Sequence, residues 1–172
     1  MSKPIGFWGV NYSLELIKDI AECWGDHLQL LSDSDRFWLL GQIADVIWLE
    51  NAPDSMETSP ESEELKMRLP ELGKAGIGSF IQALVNKSYC QPLEYWGMPH
   101  NCLLTDDIRE SWGDDLSGLS ELESYYLLGR CGLHMWLRYC DSAPSNEAQE
   151  VFDRLDELPT NQWIALCQAL GN

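Results

Sequence analysis

The sequence predicts an all-α protein: a tandem duplication of a four-helix unit of 86 residues, with its two copies packed about a pseudo-twofold axis. Three observations lead to this prediction. Apolar residues recur at helical spacing in successive segments, no segment alternates with the period of two typical of a strand, and the chain resembles itself when shifted by 88 positions. The predicted units are residues 1–86 and 87–172, which together form one compact structural domain.

The internal repeat extends over most of the chain. Between residues 7 and 49, 17 of 43 positions are identical to the residues 88 positions further on, where average composition would give about three. The matched motifs are Phe7-Trp8-Gly9 with Tyr95-Trp96-Gly97, Trp24-Gly25-Asp26 with Trp112-Gly113-Asp114 and, at a shift of 86, Arg68-Leu69 with Arg154-Leu155. Chance does not explain this agreement, so we expect one scaffold to occur twice.

The first helix of the unit is predicted from apolar spacing that begins near Ser13. Apolar residues continue at helical spacing as far as Trp24, and Gly25 follows at the position where a helix commonly ends. The matched residues 88 positions later predict the same helix in the second unit.

The second helix is predicted over 33–51 and 121–140. Ser32 and Ser120 precede these ranges, and a carboxylate follows each serine three residues later, as in a capping box. We therefore expect the acids of the first turns to serve the caps; they are Asp33, Asp35, Glu121 and Glu123. Gly41 and Gly129 interrupt this helix at a cost of about 1 kcal/mol each relative to alanine. Close approach of another backbone would account for them.

The rest of each unit is predicted as a linker and two shorter helices. Polar stretches rich in Pro, Ser, Asp and Asn predict exposed linkers at 51–60 and 141–146. Leucine spacing predicts third helices over 61–72 and 146–158 and fourth helices over 76–86 and 160–170. The glycines of 73–79 lack the order of a phosphate-binding loop, so this segment is predicted to be a flexible entry to the fourth helix.

The charge balance excludes several classes of function. The chain has 28 acidic and 11 basic side chains, a net charge of −17, and a nearly equal share of that charge in each predicted unit. Phosphate backbones and anionic membrane surfaces would repel it, so neither nucleic acid nor membrane is an expected partner. The first ten residues lack the layout of a secretory signal, and a cytoplasmic protein is expected.

The six cysteines do not predict a metal site or a disulfide framework. In register with the first unit, Cys131 and Cys167 occupy the positions of Ile43 and Ile81, so we expect the cysteines to be small buried hydrophobic residues. A zinc shell from Cys131, His134, Cys140 and the pair His100 and Cys102 would need ligand spacings that the sequence does not have. No metal and no cofactor is therefore predicted.

Three carboxylates occur in both units, and they are the candidate binding residues: Asp19, Glu22 and Asp26, with Asp107, Glu110 and Asp114. A spacing of three places the first two on one helix face. An acid near a helix C-terminus opposes the helix dipole, so helix stability does not explain Asp26 and Asp114. They form either a solvated polar face or a docking surface for a basic partner.

Function is predicted from this acidic pattern. The primary hypothesis is a non-enzymatic acidic binding protein that recognises a basic protein surface, for example as an inhibitor, an immunity or antitoxin-like protein, an adaptor or a nucleic-acid mimic. No catalytic residue is assigned. The predicted aromatic anchors are Trp8, Trp96, Trp24 and Trp112.

Two alternatives remain open at this stage. Carboxylates at helical spacing could hold Mg²⁺ in a hydrolase of a nucleotide or another phosphorylated small molecule. The protein could instead be a structural component that self-associates through exposed aromatic residues; otherwise a monomer or weak homodimer is expected. The segments 7–9 and 95–97 could lie at the seam between the units, or each Trp could cap its own core.

Overall fold

The computed structural model describes residues 2–52 and 58–172. Its α-helices are α1 (Glu15–Trp24), α2 (Asp33–Asn51), α3 (Pro60–Arg68), α4 (Gly73–Val85), α5 (Leu103–Trp112), α6 (Glu121–Tyr139), α7 (Asn146–Asp153) and α8 (Thr160–Gly171). Short 3₁₀ turns occur at Ile5–Trp8, Leu69–Leu72, Lys87–Tyr89, Leu93–Trp96 and Leu155–Glu157.

No strand occurs in the described ranges, and the all-α prediction is confirmed. No described helix is long and apolar enough to cross a bilayer. Positions 53–57 of the predicted linker at 51–60 lie outside the described residues.

The N-termini of α2 and α6 follow the capping pattern of the sequence. The hydroxyl of Ser32 accepts a hydrogen bond from the Asp35 N–H at 3.1 Å, and Ser120 accepts one from the Glu123 N–H at 3.2 Å. Each serine satisfies a backbone donor that has no partner within the helix. The predicted limits of both helices are confirmed to within one residue.

The carboxylates of Asp35 and Glu123 have a different role from the one predicted. Asp35 accepts hydrogen bonds from the N–H and the hydroxyl of Ser145, both at 2.8 Å, and Glu123 accepts one from the Ser59 N–H at 3.0 Å. Ser145 and Ser59 are themselves the N-caps of α7 and α3. Each acid therefore ties a second helix to the helix on which it stands, rather than closing its own capping box.

Two other local predictions are corrected. The helix predicted over 61–72 is α-helical only as far as Arg68 and continues as a 3₁₀ turn, because Pro70 has no N–H to donate within an α-helix. The segment 73–79 is the first part of α4 rather than a flexible entry to it. Gly73 has φ = 69°, a conformation that glycine adopts readily, so the helix can begin directly after the turn.

Helices α2 and α6 form the centre of the fold and lie antiparallel. Near the end of α2, the Trp48 ring meets the ring of Tyr126 with centroids 5.1 Å apart. Near its start, the hydroxyl of Ser34 accepts a hydrogen bond from Trp136 Nε1 at 3.2 Å. Residue numbers therefore rise along one helix as they fall along the other.

Glycines allow these two helices to approach backbone to backbone. A Cβ atom on Gly132 would lie 2.7 Å from the backbone nitrogen of Gly41, and one on Gly41 would lie 2.9 Å from the backbone nitrogen of Leu133. A Cβ on Gly129 would lie 3.3 Å from the backbone nitrogen of Asp45. The close approach predicted for Gly41 and Gly129 is confirmed, and Gly132 has the same role, which the sequence analysis missed.

The other helices pack across the midpoint of the chain. Helices α3 and α4 pack on α6, and α3 also contacts α5; helices α7 and α8 pack on α2, and α7 also contacts α1. The 3₁₀ turn Ile5–Trp8 packs on α8, and Leu93–Trp96 packs on α4. The aromatic turns therefore lie where residues 1–86 meet residues 87–172, as in the seam alternative. One contiguous hydrophobic core includes residues from both ranges.

Replacing Gly132 by alanine is expected to destabilise the protein, because the new methyl group would collide with the backbone of α2. Overpacking of this kind costs about 1–3 kcal/mol, which exceeds the gain of up to about 1 kcal/mol from better helix propensity. The matched control is Gly78→Ala in α4, where nothing lies within 4 Å of the new Cβ, so a small gain in stability is expected. Urea denaturation measures both free energies of unfolding. Equal stability changes in the two variants would contradict the close approach.

Candidate functional site

Two surface notches place some of the predicted acidic residues beside carboxylates of a second helix. The α1–α7 notch has a volume of about 110 Å³ and is lined by Leu16, Asp19, Cys23, Trp24, Glu147, Glu150, Val151 and Arg154. The α3–α5 notch is narrower, about 30 Å³, and is lined by Glu61, Glu64, Leu65, Arg68, Leu104, Asp107, Ile108, Ser111 and Trp112. Each notch thus combines one arginine with carboxylates from both of its helices.

An arginine at each notch binds the first predicted acid internally. Arg154 donates to Asp19 at 2.8 Å and to Glu157 at 2.7 Å. Hydrogen bonds to Glu157 and then to Asp19 raise the pKa of Arg154 above its ordinary value, and the same arginine lowers the pKa of Glu157. The arginine therefore links α7 and the turn after it to α1, and Asp19 is largely engaged within the molecule.

The second notch repeats this arrangement. Arg68 donates to Asp107 at 2.7 Å and to Glu71 at 2.9 Å. Hydrogen bonds to Glu71 and then to Asp107 raise the pKa of Arg68. Asp19 and Asp107, which the sequence analysis predicted as partner-binding residues, thus serve first as anchors between helices.

The other predicted acids are divided between internal and outward positions. Glu22, Glu110 and Asp26 are exposed and form no ion pair with any described residue. Asp114 accepts a hydrogen bond from Arg109 Nε at 2.8 Å and is only half available to a partner.

The backbone at Asp26 and Asp114 holds the aromatic turns in place. The carbonyl of Asp26 accepts a hydrogen bond from the Ile5 N–H, and that of Asp114 accepts one from the Leu93 N–H, both at 2.8 Å. These bonds hold the aromatic 3₁₀ turns against the loops that follow α1 and α5. The main chain at these positions therefore has a structural role that does not depend on the carboxylates.

The predicted tryptophan anchors lie mostly inside the protein. Trp24 and Trp112 are 6% and 7% exposed and belong to the core, so the prediction of these rings as surface anchors is corrected. Trp8 and Trp96 are half-buried. Trp24 and Trp112 are buried because they lie on the apolar faces of α1 and α5, which pack inward.

Exposed aromatic surface is supplied by neighbouring residues that the sequence analysis did not select. Phe7 is 54% exposed and meets Trp8 edge to face, with centroids 4.8 Å apart. Tyr95 is 65% exposed and meets Trp96 in the same way at 4.8 Å. Each half-buried tryptophan therefore packs against the exposed ring beside it.

The cysteines and acids form no metal centre in the described part of the chain. Cys131 and Cys167 are buried as predicted, and burial raises the pKa of both thiols. Cys23 and Cys90 are exposed instead, so the expectation of burial is wrong for them. Within residues 2–52 and 58–172, no group of three or more His, Cys, Asp or Glu side chains is placed to hold a metal ion.

A polar cluster that the sequence did not predict lies between α3 and α6. The Glu63 carboxylate accepts hydrogen bonds from Thr58 Oγ1 at 2.6 Å, from the Tyr126 hydroxyl at 2.5 Å and from Lys66 Nζ at 3.1 Å. These bonds, in that order, lower the pKa of Glu63 to about 2. The cluster fastens α3 to the central helix α6.

The positions aligned with this cluster carry different residues. In the alignment of the chain with itself, Glu63 matches Gln149 and Lys66 matches Phe152. Tyr126 matches Trp38. The Trp38 and Phe152 rings meet edge to face with centroids 5.7 Å apart. Hydrogen bonds thus join α3 to α6, and an aromatic contact joins α7 to α2 at the aligned positions. A departure from the repeat at aligned positions is the sequence signal that could have revealed the cluster.

Comparisons with protein-family models, with curated proteins and with solved structures found no match to this chain.

Replacing Tyr126 by phenylalanine is expected to raise the pKa of Glu63 from about 2 towards the ordinary glutamate value, because one of the hydroxyl donors is lost. The folded-state pKa lies below the unfolded-state value of about 4.3, so the stabilisation is present above that pH and is lost as the pH falls towards 2. Carboxyl ¹³C NMR titration measures the pKa directly.

Tyr125→Phe is the control for this titration, since the Tyr125 hydroxyl makes no hydrogen bond to Glu63 in the described structure. Its Glu63 titration should match that of the unmodified protein. An unchanged Glu63 pKa in Tyr126→Phe would show that the cluster does not hold the carboxylate.

Proposed function

We propose that the protein is a non-enzymatic acidic helical binding protein whose α1, α3, α5 and α7 surface receives a basic protein. The observation that carries this proposal is a set of exposed carboxylates on the helices that form the notches: Glu22 and Glu147 on one side, Glu61 and Glu110 on the other. None of them forms an ion pair among the described residues. They therefore face solvent without an internal counter-ion among the described residues.

The internal ion pairs strengthen this argument. Arg68, Arg109, Arg130 and Arg154 all donate to carboxylates of the protein itself. These four of the 11 basic side chains are thus paired with carboxylates of the protein, and the chain has a net charge of −17. A field of one sign over a surface accelerates encounter with a partner of opposite charge and discriminates against acidic proteins.

We further propose that the two notches derive from a tandem duplication and offer equivalent subsites. Three features support this: the 17 identities in 43 aligned positions, the arginine–aspartate pairs at 2.8 and 2.7 Å, and the two backbone bonds at 2.8 Å that hold the aromatic turns. A basic partner with two similar patches, such as a symmetric dimer, would match such subsites.

The proposal is tested by removing only the outward charges. A variant with Glu22, Glu61, Glu110 and Glu147 changed to Gln is compared with a control in which Glu50 is changed to Gln and Asp33, Asp141 and Asp156 to Asn. Both variants lose four negative charges from exposed positions. Because steering depends on local potential, the first variant should bind the basic partner at least about tenfold more slowly than the control.

The partner is first identified by co-purification from the native lysate with mass spectrometry, and association rates are then measured by stopped flow between 50 and 500 mM salt, where the rate should fall steeply. Recovery of no basic protein would contradict the proposal. Equal rates for the two variants would contradict the placement of the binding surface on the notch helices.

The alternatives have unequal support. The magnesium-dependent hydrolase gains none, since no metal-holding group is found in the described residues. Self-association has one observation in its favour, the exposed rings of Phe7 and Tyr95. Light scattering over a range of concentrations separates it from the binding proposal, because a protein that acts on a basic partner can remain monomeric.

A further inference from the structure

A cleft of about 200 Å³ opens between α4, α6 and α8, away from the acidic notches. Its apolar wall is formed by Leu84, Val85, Leu128, Ile164 and Cys167. Its polar lining includes Lys87, Glu121, Ser124 and Tyr125. An apolar cleft with a few convergent polar groups has the composition of a small-molecule site.

Lys87 is the unusual residue of this cleft. It is half-buried, and its ammonium donates one hydrogen bond, to the Leu119 carbonyl at 2.6 Å. No carboxylate of the described residues lies within 4.0 Å of its Nζ, although the protein is strongly acidic and most of its arginines are paired. Burial lowers the pKa of Lys87. The ammonium thus retains donors that an incoming acceptor could satisfy.

Tyr125 provides a second donor in the same cleft. Its hydroxyl makes no hydrogen bond to any part of the chain that the structure describes, and it lines the cleft. Burial raises the pKa of Tyr125, so the hydroxyl keeps its proton at neutral pH. The cleft therefore has two donors that a ligand carboxylate could use, the Lys87 ammonium and the Tyr125 hydroxyl.

The aligned position on the other side of the molecule lines a cleft of about 350 Å³, so the two sides differ in their cation rather than in whether a cleft is present. Arg36 stands where Ser124 stands here, and its guanidinium donates to the Leu170 carbonyl at 3.0 Å. Ser124 is short and turns back to donate to the Glu121 carbonyl at 2.5 Å. The aligned cleft thus has a guanidinium on α2, whereas this cleft has the ammonium of Lys87.

We propose that this cleft binds a small monocarboxylate with an apolar body, its carboxylate on Lys87 and Tyr125 and its body against Leu128 and Cys167. Since a water molecule takes about 30 Å³ of liquid, the cleft has room for about seven non-hydrogen atoms. A branched acid such as 3-methylbutanoate has this size. Glu121 lines the same cleft and repels negative charge, so dicarboxylates and phosphate esters are expected to bind more weakly than a monocarboxylate.

The test is an NMR titration of the full chain with 3-methylbutanoate, followed at the backbone amides of the cleft. Saturable shifts are expected at residues 84–88, 121–128 and 164–168. Lys87→Met should weaken binding about tenfold or more, because a charge-assisted hydrogen bond is lost, and Tyr125→Phe should weaken it less. Ser124→Leu fills the cleft and should abolish binding while the helical circular dichroism is kept.

Two controls define the ligand class. Lys74→Met removes an exposed lysine of α4 that does not line the cleft and should bind as the unmodified protein does. The amide of the same acid, succinate and inorganic phosphate should each bind at least tenfold more weakly. The proposal is overturned by the absence of saturable shifts at 10 mM acid, by equal affinity in Lys87→Met, or by equal binding of phosphate, which would indicate a general anion site.

Discussion

The backbone contact between α2 and α6 is the constraint on which the other packing depends. Gly41 and Gly132 leave no side chain between the two helices, so the helices lie close enough for Asp45 to reach Arg130 at 2.6 Å. Helices α3 and α4 then pack on α6, and α7 and α8 pack on α2, while α1 contacts α7 and α5 contacts α3. Interiors packed at crystal-like density do not absorb an added methyl group freely, which is why small residues are required there.

Charge is divided between two uses. Some carboxylates connect helices: Asp35 accepts a hydrogen bond from Ser145, and Asp19 accepts one from Arg154. These carboxylates stabilise the fold. Others, such as Glu22 and Glu110, remain at the surface without a described partner. A protein with this surplus repels acidic molecules at a distance and attracts basic ones, and salt weakens the attraction. The same residue type thus supports the structure and provides the proposed interaction surface.

Differences between aligned positions are as informative as the identities. Where one side has Trp38 against Phe152, the other has Tyr126 bonded to Glu63, and where one side has Arg36, the other has Ser124. These exchanges keep the packing while they change polarity and free volume. Such exchanges are tolerated because each residue needs only to fill its space and satisfy its own hydrogen bonds.

The sequence by itself determined the helices, the capping serines, and Gly41 and Gly129 at the helix crossing, because these depend on periodicity and on local backbone chemistry, but it did not identify Gly132. It also located Asp19 and Asp107, but not their partners. Only the tertiary structure decided that these acids meet Arg154 and Arg68, that Trp24 is buried, and that Lys87 lies in a cleft with no described carboxylate within 4.0 Å of its Nζ. Burial and pairing depend on which helices come together, and residues 39 or 135 positions apart, as in these two pairs, carry no local signal of that contact.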